Sequence, residues 1–196
     1  MSIRHGLLAL LAEQPRYGYQ LRTEFESRTG ATWPLNVGQV YTTLARLERD
    51  GLVTPQGDDG EGHAYYAITD VGRAEVARWF AEPVARSVPP PRNELAIKLA
   101  LAITAPDVDV LRITQAQRTQ TLRALQDYTR LKARATDRDI AWLLVLDSLI
   151  FQAEAEIRWL NHCESRLARA EAAAHKAADS RPDRHAITQH ARGASS

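Results

Sequence analysis

The chain has 196 residues, 44% of them hydrophobic and 25% charged, which suits one large globular domain or two small ones and excludes collagen-like, wholly disordered and disulfide-stapled classes. A formal net charge of +1 supplies no overall basic field for nucleic acid or membrane. The single cysteine, Cys163, cannot form an internal disulfide and points to a reducing, cytoplasmic setting.

The first helix is read from Ile3, Leu7, Leu10 and Leu11 at helical spacing, with Ser2 as N-cap and Pro15 and Gly18 as stops. A second covers 19–28, burying Leu21 and Phe25, with Gly30 as its C-terminal stop. After the turn ATWPLN a third spans 38–50, with Val40, Leu44 and Leu47 on one face and Gly51 at its end. The period then changes. Residues 52–56 and 63–69 read as two strands around the turn-rich GDDGEG, a β-hairpin with a longer loop. Tyr65 and Tyr66 alternate on the second strand, which predicts one in the core and one exposed. Thr69 caps a fourth helix over 70–82, carrying Val76, Trp79 and Phe80.

Pro83 and the triplet Pro89, Pro90, Pro91 form a stiff linker over 83–91. Beyond it the pattern is helical: 93–103, then a helix capped by Asp107 and running to about 135, then one over about 137–174. In the last, Leu143, Leu146, Ile150, Ala153, Ile157 and Leu160 step by three and four, with Leu167 a heptad further. Leu144 and Phe151 widen the apolar face. The predicted domains are 1–82, with short helices and a hairpin, and 92–175, all helical, followed by a disordered tail at 176–196. The longest apolar run, 140–151, is too short to cross a bilayer, and the start of the sequence lacks a signal peptide's apolar run and cleavage site, so no membrane partner is expected.

Three helices, a hairpin and a helix are the chain order of a winged helix-turn-helix, so the fold class expected is mainly α with a β-hairpin wing. The outer face of the third helix carries Thr42, Ala45, Arg46 and Arg49, with Tyr41 at its flank and Gln39 at its start. These residues suit a major groove, where an arginine can fork onto guanine. Taken alone, Arg46 and Arg49 could as well pair with Glu48 and Asp50 on a solvated face.

The stretches LLALLAEQPRYGYQL, NVGQVYTTLARLERDGLV and YYAITDVGRAE resemble PadR-type transcriptional regulators, and AWLLVLDSLIFQAEAEIRWLNH resembles the last helix of the subtype with a long C-terminal domain. The resemblance implies a homodimeric, autoregulatory repressor that binds an inverted-repeat operator in double-stranded DNA and is released by a small aromatic or phenolic effector. It places Tyr19 and Tyr41 on positions that contact DNA backbone, and Gln39, Thr42 and Arg46 where further contacts are expected. The dimer is expected through the C-terminal helices, with Leu143, Leu146, Ile150, Ile157 and Leu160 at the interface. The 143–167 seam is expected to be too long and apolar to bury within one chain of this size. Trp79, Phe80, Trp142 and Trp159 are the candidate stacking surfaces for an effector, with core or dimer packing as the competing role of each.

Two departures from the family pattern stand out. Thr42 occupies a position where proline is usual. The wing, usually basic, carries Asp58, Asp59 and Glu61, and residues 1–80 hold eight arginines against ten carboxylates. This lowers the affinity expected at physiological salt and leaves open an alternative, a winged helix serving as a protein–protein adaptor without an operator. Enzyme chemistry finds no foothold: the sequence has no Walker loop, GxGxxG, GxSxG, HExxH or CxxC motif, and no cofactor is expected. His162 and Cys163 are adjacent on a helix and do not face one another, so no metal site is expected.

Overall fold

The computed structural model describes residues 3–58, 63–84, 91–136 and 139–179. Among the described residues, seven helices and three strands follow in the order α1 (Ile3–Glu13), β1 (Arg16–Tyr17), α2 (Gly18–Arg28), α3 (Val37–Arg49), β2 (Val53–Asp58), β3 (Ala64–Ile68), α4 (Asp70–Ala81), α5 (Glu94–Ala102), α6 (Val110–Arg134) and α7 (Ile140–Asp179). The expected caps at Ser2, the central linker 85–90, the wing tip 59–62, the start of the last helix at Asp137 and the tail from 180 lie outside the described residues.

The chain divides into two compact units, 1–91 with 130–148, and 92–129 with 149–196. In the first, Leu7, Leu8 and Leu11 of α1, Leu21 of α2, and Val40, Leu44 and Leu47 of α3 are almost completely buried in one cluster with Leu52, Val53, Ile68 and Val76. Three helices thus close over a small antiparallel sheet of order β1-β3-β2, a winged helix-turn-helix. The strand β1 was not anticipated. Its two residues have no period to read, and they exist as a strand because Arg16 and Tyr17 pair with Tyr66 and Tyr65 of β3. Neither tyrosine of that strand is fully exposed or fully buried: Tyr66 packs on the core cluster, while Tyr65 meets Tyr17 at 5.4 Å.

Side chains finish what the helices leave open. The last carbonyls of α1 are satisfied from outside, Leu10 by the Arg16 guanidinium and Ala12 by Arg73 at 3.0 Å. Asn36 caps α3 by accepting the Gly38 N–H at 2.8 Å. At the base of the hairpin, the Thr69 N–H donates to the Leu52 carbonyl at 3.0 Å and its hydroxyl donates to that of Gly51 at 2.8 Å. The same hydroxyl accepts the Gly72 N–H at 3.1 Å, as a helix cap.

Two carboxylates hold α2 in place. Glu13 takes both ends of the Arg28 guanidinium, which draws its carboxyl below the usual glutamate range despite some burial; Arg16 adds to the effect. Glu26 accepts the Leu35 N–H at 3.0 Å and Arg22 at 3.1 Å, and the Leu35 bond is the larger cause of its lowered pKa. Depressed carboxylates contribute stability that is present above the unfolded-state pKa and lost as pH falls through the folded one. The first unit is therefore expected to hold its thermal stability from pH 7 down to about pH 5 and lose it below the ordinary glutamate range. Melting curves of wild type and Glu13→Gln across that range check this. The variant should show a shallower acid limb, and an identical limb in both would remove Glu13 from the account. Because both carboxylates are partly exposed, the effect is small.

In the second unit α5 is capped by Asn93, whose side chain accepts the Ala96 N–H at 3.0 Å. The cap of α6 is Asp109 rather than Asp107: Asp109 accepts the Arg112 N–H at 2.9 Å, while Asp107 sits in the turn with φ +60°. What α6 buries is polar, Thr114 at 0% and Thr121 at 7% exposure, which is why its apolar pattern is weak. Both hydroxyls donate to the carbonyl one turn back, and Thr121 also donates to Glu156 of α7 at 2.6 Å, beside Gln117 at 3.0 Å. Arg118 reaches Glu164 at 2.6 Å.

Helix α7 runs to Asp179, past the expected end, and the apolar seam divides along it. Leu146 and Leu160 are 0% exposed within the single chain and Ala153 only 7%, so the expectation that the seam could not be buried in one chain is corrected at these positions. Leu146 and Leu160 keep no surface for a second copy. Leu143, Ile150 and Ile157 are half-buried, and Leu144 and Phe151 lie in the open at 66% and 68%.

Candidate nucleic-acid interface

Helix α3 buries Val40, Leu44 and Leu47 and exposes Gly38, Gln39, Tyr41, Thr42, Ala45, Arg46, Glu48 and Arg49. At 100° per residue the centre of the outward face is Gly38, Thr42, Ala45 and Arg49, of which the first three are small enough to let the helix backbone come close to a partner. Gln39 and Arg46 stand on one flank and Tyr41 and Glu48 on the other. The Thr42 hydroxyl donates to the Gly38 carbonyl at 2.8 Å, so its lone pairs and methyl are what it offers outward. Its neighbour Thr43 does the same to Gln39 at 2.7 Å. Where proline would have removed a backbone donor, Thr42 keeps it and adds this local bond.

The Tyr41 flank is built against the start of α2. A Cβ on Gly18 would lie 2.7 Å from the Tyr41 ring, so the glycine is the space the ring occupies. Tyr19, 56% exposed, is the next residue, and the Tyr17 N–H ahead of it donates to Gln20 at 3.3 Å to close the first turn. The two tyrosines expected at DNA backbone are thereby brought to one side of the recognition helix. Below them the Tyr66 phenol is pushed above its ordinary pKa, by burial first and then by the Glu48 charge. At the base of the wing Tyr17 stacks on His63 at 5.0 Å. Of the acidic wing, Asp59 and Glu61 lie outside the described residues.

The Gln39 flank holds a residue that sequence reading missed. Arg4 of α1 joins Ile3, Gln39, Thr43, Arg46, Arg49 and Asp50 around a cavity of about 320 Å3. Nothing in the sequence separates Arg4 from any other surface arginine, because its neighbours are more than thirty residues away and only the fold assembles them. Arg4 pairs with Asp50 at 3.1 Å and Arg49 approaches the same carboxylate at 3.6 Å.

Of the four aromatic residues expected to serve an effector, Trp79, Phe80 and Trp142 belong to the first unit and Trp159 to the second. Trp79 stacks on His5 at 5.4 Å with Phe80 beside it, the latter 69% exposed. Trp142 lies over Gly30, whose φ of +57° and missing Cβ both favour glycine. Trp159 lines an apolar cavity of about 210 Å3 within the second unit, with Leu99, Ile103, Thr114, Cys163 and Arg166. Burial raises the Cys163 thiol pKa, which disfavours the reactive thiolate. Among the described residues no helix is long and apolar enough to cross a membrane, and no cluster of three or more His, Cys, Asp or Glu could hold a metal ion.

Residues 7–78 match the transcriptional regulator PadR-like family, and residues 91–168 match the virulence activator alpha C-terminal family. A probable transcriptional regulator of Mycobacterium tuberculosis is 30% identical over 179 residues, covering 82% of this chain and 95% of that one. The negative transcriptional regulator PadR of Bacillus subtilis is 25% identical over 173 residues, 81% of this chain and 93% of that one. Its crystal structure with operator DNA superposes with a TM-score of 0.61 at 23% identity, covering 85% and 96% of the two chains. Its complex with p-coumaric acid gives 0.63 at 22%, covering 86% and 98%. The virulence activator AphA of Vibrio cholerae gives 0.63 at 22%, covering 86% and 99%. At these identities the structural likeness concerns the fold.

Proposed function

The chain belongs to the PadR-like family of transcriptional regulators, a family of DNA-binding proteins and not of enzymes, and from that membership we propose that it acts in the cytoplasm as a dimeric repressor of its own gene and a neighbouring operon, released by a small aromatic effector. The observation that carries the DNA reading is the outward face of α3. It is flat and small at its centre, with Arg46 free of any carboxylate partner among the described residues. Arg46 is assigned to a base edge, Gln39 and Thr42 to neighbouring contacts, and Tyr19 and Tyr41 to phosphate.

Dimerisation is assigned to the second half of the chain. Ile140, Leu144 and Phe151 of α7, with Ile97 and Leu101 of α5 and Ile103 just beyond it, are large apolar side chains left exposed in the single chain. A second copy would cover them, with Leu143, Ile150 and Ile157 at the margin. Two copies would present two recognition helices to half-sites about 34 Å apart in an inverted repeat. For the effector, the Trp159 cavity is apolar and smaller than sites for drug-sized ligands, which suits a single-ring molecule. That the Bacillus relative is known in complex with p-coumaric acid supports this class. Trp79, Phe80 and Trp142 remain candidate stacking surfaces for the effector.

A gel shift with DNA from upstream of the protein's own gene tests the reading. Arg46→Ala should weaken specific binding by about 1–3 kcal/mol and relax preference at one base position. Phenolic acids that release the DNA support the effector assignment. A protein that binds this DNA no better than scrambled DNA, at any salt, would favour the adaptor alternative.

A further inference from the structure

The first 80 residues carry a formal charge of −2, from eight arginines and ten carboxylates, an unpromising balance for a DNA-binding unit. The structure shows how that charge is distributed. Five of the eight arginines are used inside the unit. Arg16 and Arg73 cap α1, Arg22 pairs with Glu26, Arg28 with Glu13 and Glu24, and Arg78 with Glu75. The other three are Arg4, Arg46 and Arg49, and they line one cavity together, with residues of α1 and α3. One carboxylate, Asp50, lines the same cavity and pairs with Arg4 and Arg49, leaving a surplus of two positive charges at that place. Asp50 is itself unusual, since it caps the C-terminus of α3, where the helix dipole disfavours a negative charge. Its position is accounted for by the arginines it holds, Arg4 above all.

The cavity lies where a phosphate rail must pass. Residues 39, 43, 46 and 50 form one flank of α3 at i, i+4, i+7 and i+11, the opposite side from Tyr41. A helix with its side chains is about 10–12 Å across and the major groove about 12 Å wide, so each flank of an inserted helix faces one of the two strands. The Tyr19 and Tyr41 flank accounts for one strand.

We infer that Arg4, held over the groove by Asp50 and flanked by Arg46 and Arg49, is a phosphate-binding residue that takes the second DNA strand and sets the depth and angle at which α3 enters. This rests on the DNA-binding reading above. Asp50 acts as a resident counter-ion that orders the Arg4 guanidinium and competes with phosphate for it.

The test uses the full-length protein and two duplexes, one carrying the region upstream of its own gene and one a scrambled sequence, each titrated with salt. Arg4→Gln should weaken binding to both duplexes alike, by about tenfold at low salt, and reduce the slope of log affinity against log salt by about one. Arg4→Lys should recover most of the loss. Asp50→Asn keeps an acceptor for Arg4 without the competing charge and should bind both duplexes more tightly than wild type. Arg22→Gln, away from the groove, should bind as wild type. An Arg4→Gln protein with wild-type affinity and slope, while Arg46→Ala weakens binding, would overturn the inference and leave DNA binding intact. A loss confined to the specific duplex would make Arg4 a base reader and overturn the phosphate assignment. Wild-type protein that binds neither duplex would overturn the DNA reading, and this inference with it.

Discussion

Replacing Phe151 with aspartate should break the proposed dimer into folded monomers that no longer hold the proposed operator. Phe151 is 68% exposed in the single chain, so the charge meets little of the chain's own packing and α7 should form as before. In a two-fold dimer the substitution acts twice. Losing the burial of two phenylalanine side chains costs about 4 kcal/mol, roughly three orders of magnitude in the dimer dissociation constant, before the repulsion between carboxylates is added. Light scattering at micromolar concentration reads the mass, circular dichroism the helix content, and a gel shift the DNA binding. Each monomer would retain one recognition helix and therefore one half-site, so operator affinity should collapse toward the non-specific level. Wild-type mass in the variant would remove this face of α7 from the interface. A monomeric wild type would remove the dimer altogether.

The second large effect is on stability. Gly72 lies in the first turn of α4, and a Cβ there would stand 2.2 Å from the Leu52 carbonyl oxygen and 2.7 Å from the Ile68 side chain. Because the nearer atom is backbone, no change of rotamer relieves the contact. The start of α4 must move away from the hairpin, which breaks the hydrogen bonds that Thr69 makes to Leu52 and Gly51. Each bond is worth about 1 kcal/mol, and overpacking adds about 1–3. The better helix propensity of alanine returns about 1. Gly72→Ala should therefore destabilise the first unit by about 3 kcal/mol, lowering its melting temperature by more than about 10 °C. Gly38→Ala is the control: its Cβ would meet only Asn36 Oδ1, at 3.4 Å, so its melting temperature should stay near wild type. A Gly72→Ala protein that melts with the wild type would show that α4 yields freely at this point.

How much of this was legible in the sequence depended on whether a residue's role is local. Val40, Leu44 and Leu47 repeat at helical spacing, so the buried face of α3, and by subtraction its outward face, could be read directly. Thr69 as a cap and Gly51 as a stop are equally local and equally readable. Strand β1 escaped because two residues have no periodicity and acquire a strand's geometry only from Tyr65 and Tyr66 across the sheet. The choice between Asp107 and Asp109 as the cap of α6 escaped for a finer reason. Both are good capping residues, and only the backbone turn at Asp107 decides between them. In the α7 seam, periodicity showed that Leu146 and Phe151 were both apolar and not which would face its own chain. The grouping of Arg4 with Arg46 was beyond sequence reading, since it requires α1 and α3 to be packed first. So was the reason for Gly18, which is the ring of a tyrosine twenty-three residues on.

The buried threonines of α6 bear on how a signal can travel through the second unit. Glu156 of α7 receives Gln117 and Thr121 through one oxygen, and Arg118 meets Glu164 two turns further along. Sliding one helix past the other by a single turn, about 5.4 Å, would carry Gln117 or Thr121 into the other's place at Glu156, lose the second bond there and separate Arg118 from Glu164. A leucine seam would tolerate such a slip, because one methyl group replaces another. This polar cross-link makes the register of the two helices a discrete property rather than an adjustable one. A tilt or rotation of α6 and α7 that keeps this register retains every one of these bonds, whereas a one-turn ratchet gives up the Arg118–Glu164 pair and one bond to Glu156.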